Sequence, residues 1–93
     1  MAVRFEWDPT KAQENSRKHD VTFEEASECF ADEHALDLED PMHPERLILI
    51  GLSGSARLLF TVYAVREHGD IIRIISARKA TRHERSTYEE GSF

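Results

Sequence analysis

Three apolar segments separated by turn residues occupy the second half of this chain, and they restrict its fold more than any other feature. They run over residues 46–53, 58–66 and 70–78, with glycines at positions 51, 54 and 69. Connections this short favour antiparallel hairpins. The middle segment is apolar at both odd and even positions, as in a strand that is covered on both faces. We therefore expect an antiparallel sheet built from these three strands.

The first half of the chain begins with a strand signal followed by a helix signal. Residues 3–7 alternate apolar and polar side chains, which is the period of a half-buried strand. Asp8 is a favourable N-cap, and Pro9 suits the first position of a helix, where its missing N–H costs nothing. A first helix is expected to end at about Lys18.

Two further helices complete the predicted order of elements. Residues 22–25 form a capping box, so a second helix should begin there and end near residue 31. Residues 35–38 alternate briefly, and residues 79–90 are predicted to form a last helix that stops at Gly91. The order β-α-α-β-β-β-α predicts one α+β domain over residues 1–93, with two N-terminal helices and one C-terminal helix on a small antiparallel sheet.

The charges are distributed unevenly along the chain. Residues 1–40 carry 4 Lys/Arg against 12 Asp/Glu, whereas residues 57–85 carry 7 against 3, within a total net charge of -6. A basic side on an acidic chain suggests a surface that faces an anion. The alternative is that these arginines are simply solvated.

The remaining composition favours a soluble, cytoplasmic protein. The single Cys29 excludes an intramolecular disulfide, fits a reducing compartment, and is interpreted as a small core residue. The first residues lack the apolar region of a signal peptide, and no apolar run approaches the length of about 20 residues that spans a membrane.

An arginine cluster is the strongest candidate for chemistry. Arg78, Arg82 and Arg85 are spaced to share one face of the last predicted helix, where they can grip successive phosphates. Arg66 and Arg78 each end a predicted strand, so we expect them to lie near one another at the sheet edge. The alternative is that Glu84 and its neighbours neutralise these arginines.

The histidines do not predict a metal site. No pair has helical i, i+4 spacing, and Cys29 is the only cysteine, so no metal and no cofactor are expected. His19 and His83 are candidates for proton transfer because imidazole titrates near neutral pH. Glu45 can act as a base or pair with a nearby cation.

The residues together resemble the BrnT toxin family, the toxin half of bacterial type II toxin–antitoxin pairs. The resemblance covers nearly the whole chain in order. Its residues are Phe5-Glu-Trp-Asp-Pro9, Lys11-Ala12, Asn15, Lys18-His19, Val21, Phe23-Glu-Glu-Ala26, Glu45-Arg46, Ile50-Gly51, Arg57-Leu58-Leu59, Val62, Arg66, Ile72-Arg-Ile-Ile-Ser-Ala-Arg78, Ala80, Glu84-Arg85 and Tyr88. Asp20 departs from the glycine expected after Lys18-His19, which bears on how the first helix ends.

The resemblance implies a RelE-like fold and a ribonuclease that cleaves RNA without a metal and arrests translation. It also implies a BrnA-like antitoxin that binds operator DNA as part of the complex, and it allows a homodimer within that complex. The positions that it assigns to catalysis are His19, Glu45, Arg57, Arg66 and Arg78. The residues expected to bind RNA are Lys18, Arg85 and Tyr88, on or beside family positions, together with Arg82, which could follow the RNA backbone, and Tyr63, which like Tyr88 could stack on a base.

The expected reaction is attack of a ribose 2′-hydroxyl on the adjacent phosphate. Glu45 or His19 would take the proton, and the arginines would stabilise the developing charge. Because the net charge is -6, RNA binding should depend on local cations rather than on overall charge. Two alternatives stay open: a catalytically inactive binding module, and a corepressor partner that contacts operator DNA.

Overall fold

A five-stranded sheet with strand order β1-β5-β4-β3-β2 forms the centre of the computed structural model, which describes residues 3–91. The strands are β1 (Arg4–Glu6), β2 (Leu36–Glu39), β3 (Leu47–Leu52), β4 (Leu58–Arg66) and β5 (Ile71–Lys79). The helices are α1 (Pro9–His19), α2 (Phe23–Glu28) and α3 (Arg82–Glu90), with 3-10 turns at Cys29–Ala31 and Glu67–Gly69. The first two and last two residues of the expected 1–93 domain lie outside the described range.

The α+β class is confirmed, and the hairpins β3–β4 and β4–β5 are antiparallel, as is the β2–β3 pair. The sheet is not wholly antiparallel, because β1 pairs in parallel with the first part of β5. No tight turn joins β1 to β5. The direction of this pair is therefore set by the long connection through the helices and the other three strands. The short alternating segment 35–38 corresponds to β2, the opposite edge strand.

The caps of the helices follow the sequence with one exception. Asp8 accepts hydrogen bonds from the backbone N–H groups of Thr10 and Lys11, and Asp20 ends α1 in the left-handed conformation, with φ 57°. Thr22 caps α2, but the expected reciprocal bond is not made, because the Glu25 carboxylate binds Arg57 and Ser53 instead. α2 ends at Glu28, and the chain continues as a 3-10 turn over Cys29–Ala31.

The sheet has two unequal apolar faces. The first face packs against α1 and α2 and buries a cluster that includes Val21, Phe23, Leu59 and Ile74. On the second face Ile48, Ile50 and Leu58 are covered by Tyr88 and neighbouring side chains. Burial of this apolar area is the main force that holds helices to sheet. Because α3 packs against β3, the second face over β4 and β5 is only half covered.

The last helix begins later than its sequence pattern predicts. β5 continues through Arg78 and Lys79, which pair with Phe60 and Leu59, and the N–H of Ala80 donates to Leu58 O. Thr81 then caps α3 with a complete capping box to Glu84. The prediction that Arg78 shares a helix face with Arg82 and Arg85 is therefore wrong, because strand pairing with β4 outweighs the helical spacing.

Within residues 3–91, no helix is long and apolar enough to cross a membrane.

Candidate active site

A cleft of about 280 Å³ opens where β1 stops and α1 takes its place beside β5. Its floor is Ala64, whose small side chain leaves space opposite its partner Arg73. The β4–β5 register shifts between Val62 and Tyr63, which leaves Ile75 without a partner in β4. Such bulges re-aim side chains. The cleft is lined by Asp8, Lys11, Glu45, Arg46, Ala64, Arg66, Arg73, Ile74 and Ile75.

The cleft carries more positive charge than its carboxylates neutralise. Arg73 donates to Glu6 at 2.9 Å, and Arg66 approaches the same Glu6 oxygen at 3.6 Å, so two guanidinium groups share one carboxylate. Among residues 3–91, neither Lys11 nor Arg46 has an ion-pair partner. Guanidinium groups arranged in this way bind phosphate oxygens with directed hydrogen bonds.

Glu45 provides an exposed carboxylate at the edge of this cleft. It lies in the loop before β3, and its Oε2 is 3.8 Å from Nδ1 of His43. The alternative role of Glu45, an ion pair with Arg46, Lys18 or Arg57, is not found in the described part of the chain. Its lone pairs are therefore available to accept a proton.

His19 and Lys18 lie in a second cleft of about 210 Å³, farther along α1. This cleft shares Lys11 and Ile75 with the first one. The two clefts therefore adjoin one another beside α1 and β5, and together they are called the groove below. The structure brings Glu45 and Arg66 together in one part of this groove and His19 and Lys18 in the other.

Arg57 is held just before β4, at the end of that strand opposite to Arg66. Its Nε donates to one Glu25 carboxylate oxygen at 2.8 Å, and its Nη2 donates both to the other Glu25 oxygen and, at 2.9 Å, to the backbone oxygen of Asp20. The hydrogen bond from Arg57 lowers the pKa of Glu25, and the same bond raises the pKa of Arg57. Arg57 thus ties α1 and α2 to the β3–β4 hairpin and does not line either cleft.

Arg78 is likewise engaged by a carboxylate. It makes two hydrogen bonds to Glu84, at 2.8 and 2.9 Å, and lies 3.9 Å from the ring centroid of Phe60. The expectation that Arg66 and Arg78 lie close together is wrong. In the antiparallel ladder Arg66 pairs with Ile71 and Arg78 with Phe60, which places them at opposite ends, roughly 20 Å apart.

The two tyrosines differ from their expected role as stacking platforms. Tyr63 is buried, and its hydroxyl donates to Asp37, so it cannot stack on a base. Burial, followed by this bond, raises its pKa. Tyr88 is half-buried against the second face, and its hydroxyl donates to Asp32 at 2.6 Å. Burial and this bond raise the pKa of Tyr88 to about 12.

The other candidates lie apart from the groove. Arg82 and Arg85 are exposed on α3, which packs against β3. Cys29 is fully buried, as predicted, and burial raises the pKa of its thiol to about 12. Within residues 3–91, no three His, Cys, Asp or Glu side chains are arranged to hold a metal ion.

Sequence reasoning did not select three of the cations in the first cleft, namely Lys11, Arg46 and Arg73. Arg73 carries a usable signal, because it is the only charged residue in the apolar run Ile71–Ile75. A lone arginine in such a strand indicates a solvent-facing or ligand-facing position. Arg73 and Arg46 line the same cleft, together with Ala64, because of the strand register, and no local pattern in the sequence predicts this arrangement.

Comparisons with known proteins agree on one family. Residues 7–84 match the family model described as the ribonuclease toxin BrnT of type II toxin–antitoxin systems. The crystal structure of the Brucella abortus ribonuclease toxin BrnT superposes with a TM-score of 0.69 and 22% identity, covering 87% of this chain and 100% of that chain. No curated protein sequence matches. At this identity the structural likeness shows the α+β fold alone, whereas membership of the family rests on the sequence model.

Proposed function

Since the chain belongs to the BrnT family of ribonuclease toxins of type II toxin–antitoxin systems, we propose that it is a metal-independent endoribonuclease that inhibits translation. We place its reaction centre in the first cleft. The observation that supports this placement is the convergence of Arg46, Arg66 and Arg73 beside the exposed carboxylate Glu45. A base and a phosphate-binding cluster are the two components that the reaction needs.

The proposed reaction is an internal phosphodiester transfer. The Glu45 carboxylate takes the proton of a ribose 2′-hydroxyl, and the 2′-oxygen forms a bond to the adjacent phosphorus. The bond to the 5′-oxygen breaks, and that oxygen takes a proton from solvent. The products are a 2′,3′-cyclic phosphate and a 5′-hydroxyl. Arg66 and Arg46 stabilise the negative charge that develops on the phosphate oxygens.

The geometry changes the roles of several predicted residues. Arg57 and Arg78 are assigned to holding the fold, because each is bound by a carboxylate outside the groove. His19 lies in the second cleft with Lys18, apart from Glu45, so no proton transfer is assigned to it in this reaction. Arg82, Arg85 and Tyr88 lie on α3 and are candidates for contacts with longer RNA.

We also propose that a BrnA-like antitoxin neutralises this chain and links it to operator DNA. An antitoxin that covers the cations of the groove would block phosphate binding, and its association would be sensitive to salt. The corepressor role then follows from the complex rather than from this chain alone. A homodimer within the complex is compatible with this arrangement.

The central test replaces the base and one phosphate-binding residue. Glu45→Gln and Arg66→Ala are each expected to lower RNA cleavage by about 10²-fold or more, as removal of a base or of a charge-stabilising donor does. Glu39→Gln and Arg4→Ala are matched controls, since both residues are exposed on edge strands outside the clefts. Variants that cleave as fast as the controls would place the reaction elsewhere.

Two further measurements separate the remaining alternatives. Cleavage by the purified protein should survive EDTA, and loss of activity that a divalent ion restores would overturn the metal-free reaction. A folded protein that binds antitoxin but neither cleaves RNA nor arrests growth would support the inactive binding module instead.

A further inference from the structure

The groove continues beyond the proposed reaction centre. From the first cleft it passes Lys11 and Ile75 into the second cleft, where Lys18 and His19 project from the last turn of α1. The backbone of β5 forms the other wall, because β1 covers β5 only as far as Arg73.

We propose that single-stranded RNA follows this groove, with Lys18 binding a phosphate outside the reaction centre. The inference rests on the proposed function, and it assigns the substrate path to α1 rather than to α3. α3 packs against β3, two strands away from the groove along β5, so Arg82 and Arg85 are poorly placed for this part of the path.

The spacing of the lysines on α1 supports this path. Lys11 and Lys18 are seven residues apart, which is about two helical turns and roughly 10.5 Å along one face. This distance is greater than the separation of neighbouring phosphates, so the two ammonium groups can bind different phosphates of one strand.

The charge and the solvent exposure of Lys11 and Lys18 also support this path. In the described range 3–91, neither Lys11 nor Lys18 is paired with a carboxylate, and both are exposed. Glu14 lies between them in the second cleft without pairing with either, so the local charge there remains positive. Unpaired cations bind phosphate without first breaking an ion pair.

The shape of the groove favours an unpaired strand. A helix stands on one side and the edge of a strand on the other, so Lys11 and Lys18 form one row of cations along the groove. Duplex RNA is recognised across its wide minor groove by contacts to both strands, whereas single strands lie in grooves that follow one backbone. We therefore expect duplex RNA to be a poor ligand of this surface.

The test compares Lys18→Ala with Arg17→Ala, a neighbouring exposed cation of α1 that lines neither cleft. With a random-sequence RNA hexanucleotide pool, Lys18→Ala should raise KM several-fold at low salt and leave kcat unchanged, because Lys18 does not touch the reacting atoms. With a mixture of dinucleotides, which is too short to reach Lys18, the two variants should not differ.

Binding of a 2′-O-methyl hexanucleotide pool, which cannot form the cyclic phosphate, gives a second readout. The slope of log affinity against log salt should decrease by about 0.7 in Lys18→Ala relative to Arg17→Ala, as expected for one lost phosphate contact. Equal slopes, or equal affinity of the wild-type chain for duplex RNA, would overturn the path. If Glu45→Gln and Arg66→Ala are inactive while Lys18→Ala behaves like Arg17→Ala, only the path fails and the reaction centre stands.

Discussion

Asn15 is predicted to be the side chain on which the position of α1 most depends. It is 8% exposed, and its amide nitrogen donates to Val21 O at 3.0 Å and to Ala77 O at 2.8 Å. Its amide oxygen accepts from the N–H of Ala77 at 3.1 Å. The side chain therefore pairs with the free edge of β5 as a neighbouring strand would. It fixes the wall of the groove that carries Lys11 and Lys18.

The cost of removing this amide follows from its three bonds. Each hydrogen bond contributes about 1 kcal/mol net, and a buried group left without a partner costs about 1–3 kcal/mol. Alanine recovers about 0.6 kcal/mol through its higher helix propensity. Asn15→Ala should therefore lower the free energy of unfolding by about 3 kcal/mol, a large fraction of the roughly 5–15 kcal/mol typical of a domain.

Urea denaturation followed by circular dichroism measures this difference. Asn15→Asp should cost more than Asn15→Ala, because a carboxylate cannot donate to Val21 O or Ala77 O and would face both oxygens with a negative charge. Gln13→Ala, an exposed change on the same helix, is the control. A loss for Asn15→Ala below about 1 kcal/mol, the net worth of a single hydrogen bond, or an Asp variant as stable as the wild type, would refute the reasoning.

Three other perturbations test the assignments of fold-holding residues. Arg57→Ala should lower the free energy of unfolding by about 1–2 kcal/mol, as expected for a partly buried ion pair, while the folded variant still cleaves RNA. Complete loss of cleavage at a temperature where the variant is folded would show that Arg57 belongs to the active site. Thr81→Ala removes the N-cap of α3 and should lower the stability measured by thermal unfolding by about 1 kcal/mol. Ser86→Ala, a change at an exposed position of the same helix, should lower it little, and equal losses for the two variants would mean that the cap is not the cause. Burial alone would raise the pKa of Glu84, but hydrogen bonds from Arg78 and the N–H of Thr81 outweigh it and lower the pKa below its ordinary value of 4.5. The stability that ionised Glu84 contributes is therefore present above that value and is lost as the pH falls through the lower folded-state pKa. The difference in free energy of unfolding between the wild type and Glu84→Gln should therefore shrink in acid. A difference that grows in acid would contradict this sign.

Local signals in the sequence were sufficient for most of the elements. The bounds of β4 are those predicted, and Asp8 and Pro9 begin α1 as their types require. These signals succeed because alternation, turn residues and caps each depend on neighbours within a few positions. The resemblance to BrnT toxins is likewise a property of the sequence alone, because the residues that carry it are spread over the whole chain, and the family match over residues 7–84 confirms it.

The same local signals failed where a distant partner decided the outcome. Glu25 satisfied the spacing of a capping box, yet its carboxylate is bound by Arg57, which lies 32 positions away. Arg78 satisfied a helical spacing, yet pairing with Phe60 kept it in β5. In both cases a long-range hydrogen bond replaced the local one, and no window of a few residues contains that information.

The composition of the proposed site shows the same division. The sequence by itself determined that the C-terminal half is basic and that Glu45, His19 and Arg66 are candidates for chemistry. Only the tertiary structure decided that Glu45 and Arg66 meet Arg46 and Arg73 in one cleft, and that Arg57 and Arg78 do not. Charge is a property of each residue, whereas proximity depends on strand register, on the β4–β5 bulge and on contacts such as Glu6 with Arg73, 67 positions apart.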